Sequence, residues 1–377
     1  MKSEVDRILA IWNKGVLPIY GVAHLSWMLD VSPSSLSTLL GSERAVRSDL
    51  RRRGSRPRAI YIPDSEYLAI LRKINQLVFL PADERLDLAA FGFRPGCSPS
   101  DCMDKHKHGK WMLKLDIHEF FSSISFFDVK RTFIRVGHSE TVSETLAEIC
   151  TINENGRRVL PTGFPTSPYI SNWVLASFDK RMRAWCAENK IYYTRYVDDL
   201  FFSGTEAAPN NIIGSIQGLV DYRLGLHGLT LNLKKTRFYR GDSVFKGLGV
   251  ELHPSRDELV GAGRYMLPSR RMRAHIENQT RCIKKFGVET ASRHWCERSG
   301  IDRGLGIPEY RYVQHLAGAL SYIKNINKAY GNDLENELQI ALGESVSSYL
   351  LGHQSIFPNS VYSSSYDVPS ARKFGSN

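Results

Sequence analysis

The chain lacks any run of about eighteen apolar residues, which is close to the minimum for a helix that crosses a bilayer. It begins without the pattern of a secretory signal peptide, and no internal repeat indicates a solenoid. Only six of its 377 residues are cysteines, and they show no paired spacing. These absences argue against a membrane-spanning protein and a disulfide scaffold. They predict a cytoplasmic protein with reduced thiols and no membrane partner.

One group of side chains could still hold a metal ion. Cys97, Cys102, His106 and His108 fall within twelve residues. Their spacing differs from that of the common zinc fingers and ribbons. A zinc site and a set of ordinary thiols and imidazoles therefore both stay open as interpretations.

Positive charge is in excess and is clustered. The formal net charge is +11 and the sequence pI is about 9.3, which suits a partner rich in phosphate. Seven arginines lie within residues 44–58, against one acid, Asp49. Residues 261–330 carry thirteen Lys or Arg and five Asp or Glu. A basic soluble surface is the alternative explanation, but the clusters favour nucleic-acid binding.

Two adjacent aspartates, Asp198 and Asp199, stand between a β-rich segment (191–195) and an apolar run (200–202). This pattern predicts a β-hairpin with both carboxylates at its turn. Adjacent carboxylates repel each other and are poor strand formers, so the turn needs a nearby cation. Mg²⁺ is a natural candidate because it binds one or two carboxylates and fills its shell with water and phosphates. For the pair alone, a solvated turn would be an adequate alternative.

A third acid, Asp116, follows the alternating, β-rich segment 111–115. An N-cap aspartate would be the simpler interpretation of this residue by itself. However, one acid after a buried strand and two on a hairpin about 80 residues later form the set that two-metal phosphoryl transfer requires. The three carboxylates are therefore predicted to converge on a shared pair of divalent ions.

Five segments around these acids resemble the motifs of one enzyme family. Motifs A, B, C and D and the primer-grip motif of reverse transcriptases are similar to residues 115–121, 160–168, 196–199, 228–236 and 245–249, in that order. The resemblance implies an α+β, right-hand polymerase fold with fingers, a palm and a mostly helical thumb. The palm would be an antiparallel sheet with helices on one face.

The same resemblance implies a domain order along the chain. We expect a helical region at 1–50, fingers at 51–110, and a palm at 111–252 that is interrupted by a fingers segment near 127–165. A thumb at 253–345 and a tail at 346–377, in part without fixed structure, would follow.

Within the family, the chain is most similar to bacterial enzymes of the retron lineage. Fingers segments 58–63 and 92–98 and thumb segment 315–323 look like those of retron and group II intron enzymes. A chain of this length has no room for the maturase and endonuclease regions of the intron proteins, which favours a retron enzyme. It departs from the retron pattern at 102–106, where only the histidine of Asn-Ala-x-x-His is kept, and at 245–247, where Phe-Lys-Gly replaces Val-Thr-Gly.

The resemblance assigns roles at the metal site. Asp116, Asp198 and Asp199 would hold two Mg²⁺ ions, for which Mn²⁺ may substitute, with the Ile117 carbonyl as a further ligand.

It also assigns roles at the nucleotide. Arg56 and Arg58 would bind the triphosphate, and Lys235 would approach the leaving pyrophosphate. Phe121 would exclude a 2′-hydroxyl, and Gly163 would let the chain pass close to the new base pair. Alternatively, Phe121 is a core residue and Lys235 a solvated surface lysine.

Four residues would contact the primer or template. Tyr196 and Val197 would lie at the primer end, and Phe245 and Gly247 belong to the primer grip.

The function that the resemblance implies is RNA-directed DNA synthesis from deoxynucleoside triphosphates. A retron enzyme would copy a structured noncoding RNA, prime from a 2′-hydroxyl of that RNA, and act with an effector protein in antiphage defence. One alternative is a defence enzyme with protein-primed or untemplated synthesis. An inactive polymerase fold that serves as an RNA-binding scaffold is the alternative from a different class.

Overall fold

The computed structural model describes residues 19–39, 44–50, 58–255, 263–299 and 308–354. Their backbone forms two compact units, one from 1–98 with 110–238 and one from 99–109 with 239–377.

Helices account for most of the described residues of the second unit and for nearly half of those of the first. In chain order they are α1 (Val22–Leu29), α2 (Pro33–Leu39), α3 (Ser65–Ile74), α4 (Pro99–Asp104), α5 (Phe126–Val136), α6 (Glu140–Cys150), α7 (Ser167–Val174), α8 (Ala176–Glu188), α9 (Ile212–Gly225), α10 (Arg270–Ser299), α11 (Pro308–Ile326), α12 (Lys328–Leu342) and α13 (Val346–Gln354). A π-helical turn, Asn75–Phe79, continues α3.

The strands are short. They are β1 (Ala45–Leu50), β2 (Arg58–Pro63), β3 (Trp111–Asp116), β4 (Ile152–Glu154), β5 (Arg157–Val159), β6 (Ile191–Tyr196), β7 (Asp199–Gly204), β8 (Arg237–Arg240), β9 (Phe245–Gly247), β10 (Val250–Pro254) and β11 (Arg264–Pro268). This mixture of helices with antiparallel strands confirms the predicted α+β class.

The first unit is organised by a four-stranded sheet in the order β6-β7-β3-β8. Strands β6 and β7 form a hairpin, and β7 pairs antiparallel with β3 from Trp111↔Gly204 to Asp116↔Asp199. The apolar residues of β3 and β7 are fully buried, among them Leu115, Leu200 and Phe202. Burial on both faces explains why the β7 sequence is a continuous apolar run rather than an alternating one.

Local sequence signals explain the helices beside this sheet. Ser125 and Asp128 form a capping box that starts α5, because each side chain accepts a hydrogen bond from the other residue's backbone N–H. Asp64 caps α3 by accepting a hydrogen bond from the backbone N–H of Tyr67. Helices α1 to α3 and α5 to α9 share one buried apolar core with the sheet.

The second unit has a separate core. A three-stranded antiparallel sheet, β11-β10-β9, accompanies helices α10 to α13. The helices enclose their own apolar cluster, which includes Ile276, Leu316 and Leu338. Gly287, at φ 78°, interrupts the helical backbone of α10.

The predicted domain boundaries are not decided by these units and remain predictions. The first nine residues of the predicted tail form α13, and the rest of it lies outside the described residues. None of the helices in the described part of the chain has the length and apolar composition needed to cross a membrane.

Candidate active site

The three predicted acids lie at one end of the β6-β7-β3 sheet. Asp199 is paired with Tyr196 across the hairpin and with Asp116 on the neighbouring strand. The turn residue Asp198 is tied to the same strand, because the backbone N–H of Ile117 donates to the Asp198 carbonyl at 3.0 Å. The fold therefore brings the ends of two sequence segments together, as the strand and hairpin patterns predicted.

The carboxyl groups are close enough to influence one another's charge. Burial raises the pKa of Asp198 to about 7, and the negative charges of Asp199 and Asp116 add to the effect. Burial also raises the pKa of Asp199, although the Lys114 ammonium group opposes the shift. Three carboxyl groups in one poorly solvated place favour a bound cation.

Two lysines meet part of this negative charge. The Lys235 ammonium group lies 2.9 Å from Asp116 Oδ2, and the Lys114 ammonium group lies 2.9 Å from Asp199 Oδ1. Lys235 was predicted as a site residue, but not as a partner of Asp116. Lys114 was missed, although it stands two residues before Asp116 and so on the same face of β3. Strand alternation was the signal that could have found it.

The donor set suits a divalent cation. Asp116 Oδ1 is buried and makes no hydrogen bond in the described structure, and carboxylate oxygens are the ligands that Mg²⁺ prefers. Among the described residues, however, no three or more His, Cys, Asp or Glu side chains are arranged as a metal site. The acids are neighbours whose charges are met in part by lysines, and Asp116 Oδ1 is a buried oxygen that accepts no hydrogen bond in the described structure.

The turn that carries Asp198 is strained. Val197 has φ 60°, whereas Asp198 has no positive φ, which is the pattern of a type II′ turn. Glycine normally fills this first position, and a β-branched residue there is an outlier. Such a backbone costs about 1–3 kcal/mol and persists only where the surroundings enforce it. Gly92 lies so close to Val197 that an added Cβ would stand 2.7 Å from Val197 Cγ2.

A fully buried ion pair lies behind this turn. Arg195 and Asp179 have no exposed surface, and Arg195 Nη2 donates to Asp179 Oδ2 at 2.6 Å. The neighbouring Nη1 donates to the Val197 carbonyl at 3.0 Å. Sequence reasoning missed both residues. The signal was a single charged residue, Arg195, in a β-strand of Ile, Tyr and Thr.

Phe121 and Gly163 belong to the same unit as the acids. The Phe121 ring is partly exposed and lies 5.6 Å from the buried ring of Phe120, so the inner phenylalanine of the pair is the core residue. Gly163 has φ 118°, and a Cβ there would collide with the Tyr61 carbonyl of β2. Close packing against β2 is therefore a sufficient reason for glycine at this position.

The remaining predicted residues fall in three places: the segment at the start of β2, strand β9 and the hairpin that carries the acids. Arg56 lies outside the described residues, and Arg58 starts β2 with a side chain that is not described. Phe245 and Gly247 form β9 of the second unit, where the Phe245 ring is fully buried and the Arg264 guanidinium lies 3.5 Å from its centroid. Tyr196 is half-buried at the end of β6, and Val197 is buried in the turn.

Comparison with known proteins gives a family match. A family model described as reverse transcriptase (RNA-dependent DNA polymerase) matches residues 53–252. The chain is 28% identical over 284 residues to the Retron Mx65 reverse transcriptase of Myxococcus xanthus, covering 72% of this chain and 58% of that protein.

Two relatives from Escherichia coli are also similar. The Retron Ec83 reverse transcriptase is 36% identical over 155 residues, covering 40% of this chain and 49% of that protein. The Retron Ec86 reverse transcriptase is 27% identical over 284 residues, covering 75% of this chain and 80% of that protein. The chain thus spans about half the length of the Mx65 and Ec83 proteins.

Proposed function

We propose, since this chain belongs to the reverse transcriptase family, that it is an RNA-directed DNA polymerase of the retron type. Its template would be a structured noncoding RNA and its substrates deoxynucleoside triphosphates. The similarity to several retron enzymes supports the retron assignment.

One observation carries the proposal. Asp116 and Asp199 are directly paired on adjacent strands, and the Asp198 carbonyl accepts from the Ile117 N–H at 3.0 Å. Acids from two sequence segments thus lie side by side, which supports the proposed chemistry. A set of carboxylates spread over the surface would not support nucleotidyl transfer.

Two Mg²⁺ ions would be held by Asp116, Asp198 and Asp199, with the Ile117 carbonyl as a further ligand and with Mn²⁺ as a possible substitute. Bound there, they would activate the attacking 3′-hydroxyl and stabilise the charge on the leaving pyrophosphate. The buried Asp116 Oδ1, which has no hydrogen-bond partner in the described structure, supports this assignment.

The two lysines have distinct roles in the proposal. Lys114, with 17% of its side chain exposed, pairs with Asp199 and opposes the rise that burial causes in the pKa of that carboxyl group. Lys235, with 48% exposed, can leave Asp116 for the triphosphate, which matches its predicted role near the pyrophosphate. Because of this difference in exposure, we expect the Lys114 charge to stay in place and the Lys235 charge to move.

The other assignments follow the family pattern. Phe121 would stack beneath the sugar and exclude a 2′-hydroxyl, and its partly exposed ring supports this. Arg56 and Arg58 would bind the triphosphate, and Gly163 would lie near the new base pair. Tyr196 and Val197 would lie at the primer end, and Phe245 and Gly247 would shape the primer grip.

The biological setting is also a proposal. The enzyme would start synthesis from a 2′-hydroxyl of its own RNA, leave RNA joined to DNA, and work with an effector protein against phage. Sequencing the nucleic acid that copurifies with the chain tests this. A short branched RNA–DNA hybrid supports it, whereas DNA that stays on the polypeptide until protease treatment favours protein priming.

The polymerase itself is tested by primer extension on a generic RNA template with Mg²⁺. We expect the wild type to extend the primer and Asp198→Asn to lose at least about 10²-fold in rate, because charge stabilisation of the transition state is removed. Asp333→Asn makes the same chemical change at an exposed position of α12 and should leave the rate unchanged.

Equal activity of the wild type and Asp198→Asn would contradict the proposal. A wild type that binds the RNA but adds no nucleotide would favour an RNA-binding scaffold instead.

A further inference from the structure

The buried side chains behind the turn form a connected network. Asp179 accepts from Arg195 Nε at 2.9 Å and from Arg195 Nη2 at 2.6 Å, so one edge of the guanidinium is fully used. The Tyr193 hydroxyl donates to the same carboxylate at 2.8 Å. All of these groups are buried. A bidentate pair of this kind fixes the plane of the guanidinium.

The other edge of the guanidinium, at Nη1, faces the turn. Arg195 Nη1 donates to the Val197 carbonyl at 3.0 Å and to Asn172 Oδ1 at 3.1 Å. Asn172 in turn donates from Nδ2 to the Gly92 carbonyl at 2.7 Å. Gly92 is the residue packed against Val197. The network therefore contacts the turn in two places: directly at the Val197 carbonyl, and through Gly92 beside the Val197 side chain.

The backbone of Arg195 strengthens this grip. Its N–H donates to the Ala89 carbonyl at 2.7 Å, and its carbonyl accepts from Phe91 N–H at 2.8 Å. The segment that ends at Gly92 is thus aligned with the strand that ends at the turn. Asp198 follows Val197 in the turn, and its carbonyl accepts a hydrogen bond from the Ile117 N–H.

We propose that Arg195 is a positioning residue, which holds Val197 at its positive φ and thereby aims the Asp198 carboxylate. Asp179 orients the guanidinium, and Asn172 couples it to Gly92. The inference rests on the proposed function for its consequence in catalysis, but the coupling between network and turn stands on geometry alone.

A purely structural role explains the network less well. Apolar residues of similar volume often stabilise a core as well as a buried ion pair does. Packing would also not require the Nη1 edge to end on the carbonyl of a residue with φ 60°. Strained backbone persists only where its surroundings enforce it, and in the described structure Arg195 Nη1 is the donor to that carbonyl.

The test places Arg195→Lys in three backgrounds: wild type, Val197→Gly and Val197→Ala. Lysine keeps the positive charge but lacks the fork that reaches both Asp179 and the turn. Glycine adopts a positive φ at no steric cost, whereas alanine does not. Alanine is the matched control because it also removes the methyl groups of valine.

The readout is the single-turnover rate of nucleotide addition on a primer–template with Mg²⁺. We expect Arg195→Lys to lower the rate by about 10²-fold in the wild-type and Val197→Ala backgrounds, the size expected for a misplacement of about 1 Å. In the Val197→Gly background the loss should shrink to less than about tenfold, because glycine does not need the network to keep the turn.

Two results would overturn the proposal: an equal fractional loss in all three backgrounds, or no loss in the wild-type background. Asp333→Asn, at an exposed position of α12, is the control and should leave the rate unchanged. Where Arg195→Lys does not fold, Asn172→Ala replaces it in the same three backgrounds, with the same expected pattern.

Melting temperatures separate this inference from the proposed function. The advantage of glycine over alanine at position 197 should be smaller in chains that carry Arg195→Lys, because a released turn no longer imposes a positive φ. A wild type without polymerase activity would end the proposed function, yet these melting temperatures would still decide the coupling. An unchanged advantage of glycine would overturn the coupling itself.

Discussion

Among the described hairpins, β9–β10 and β6–β7 both turn through two residues, but they accommodate positive φ differently. In the second unit, Gly247 pairs with Val250, and the turn between them has φ 55° at Leu248 and φ 78° at Gly249. In the first unit, Tyr196 pairs with Asp199, and the positive φ falls on Val197. The β9–β10 turn uses a glycine, whereas the β6–β7 turn uses none.

The β6–β7 turn has no glycine, but hydrogen bonds from neighbouring groups support its backbone. The Val197 and Asp198 carbonyls are bound by Arg195 Nη1 and Ile117 N–H. Glycine reaches a positive φ without strain and does not need such support. In the β9–β10 turn the Gly249 carbonyl accepts from a backbone group, the Ser269 N–H, at 2.8 Å. The two turns therefore differ in that a buried side chain, Arg195, binds the turn that carries the acid.

The largest effect is expected from breaking the support of the first turn. Asp179→Asn would leave the Arg195 guanidinium buried without its counter-charge, which costs about 3–5 kcal/mol. Denaturant unfolding followed by fluorescence measures the loss. A cost below about 1 kcal/mol would mean that the buried pair does not support this hairpin.

The second turn should be more tolerant, and its response should depend on φ. Gly249→Ala is expected to cost about 1–2 kcal/mol, because an L-residue with a Cβ is disfavoured in the left-handed region. Steric collision is not the cause, since the added Cβ would lie 3.5 Å from the Tyr322 hydroxyl. Gly249→Asn should cost less than Gly249→Ala, since asparagine tolerates this region. Equal costs in unfolding experiments would show that φ does not control this turn.

The smallest effect is expected at an exposed ion pair of the second unit. Arg293 and Glu289 pair one turn apart on α10, with 61% and 63% of their side chains exposed. Glu289→Gln should cost about 0.3–0.5 kcal/mol, and the cost should vanish in high salt. A cost as large as that of Asp179→Asn would remove the contrast between buried and exposed pairs.

Much of this arrangement could be predicted from local patterns. Alternation predicted β3, and a β-rich run followed by paired aspartates predicted the β6–β7 hairpin and its turn. Spacing and order then placed Asp116 beside the hairpin through the family motifs. These signals succeed because each is carried by a few consecutive residues.

Contacts over long sequence separations could not be predicted in the same way. Lys235 meets Asp116 across 119 residues, and Asn172 meets Gly92 across 80. No local pattern in one segment identifies its partner segment, because such pairs depend on how whole helices and strands pack. The positive φ of Val197 could not be predicted either, because β-branched residues such as valine rarely adopt one.

The proposed contact between the Asp198 carboxylate and a catalytic metal ion is tested by a change of ligand. In Asp198→Cys, nucleotide addition should fall sharply with Mg²⁺ and recover in part with Mn²⁺ or Cd²⁺, because a thiolate prefers softer cations. The wild type, measured beside it, should not gain from the softer ions to the same degree. A variant as active as wild type with Mg²⁺, or one that the softer ions do not rescue, would contradict the claim.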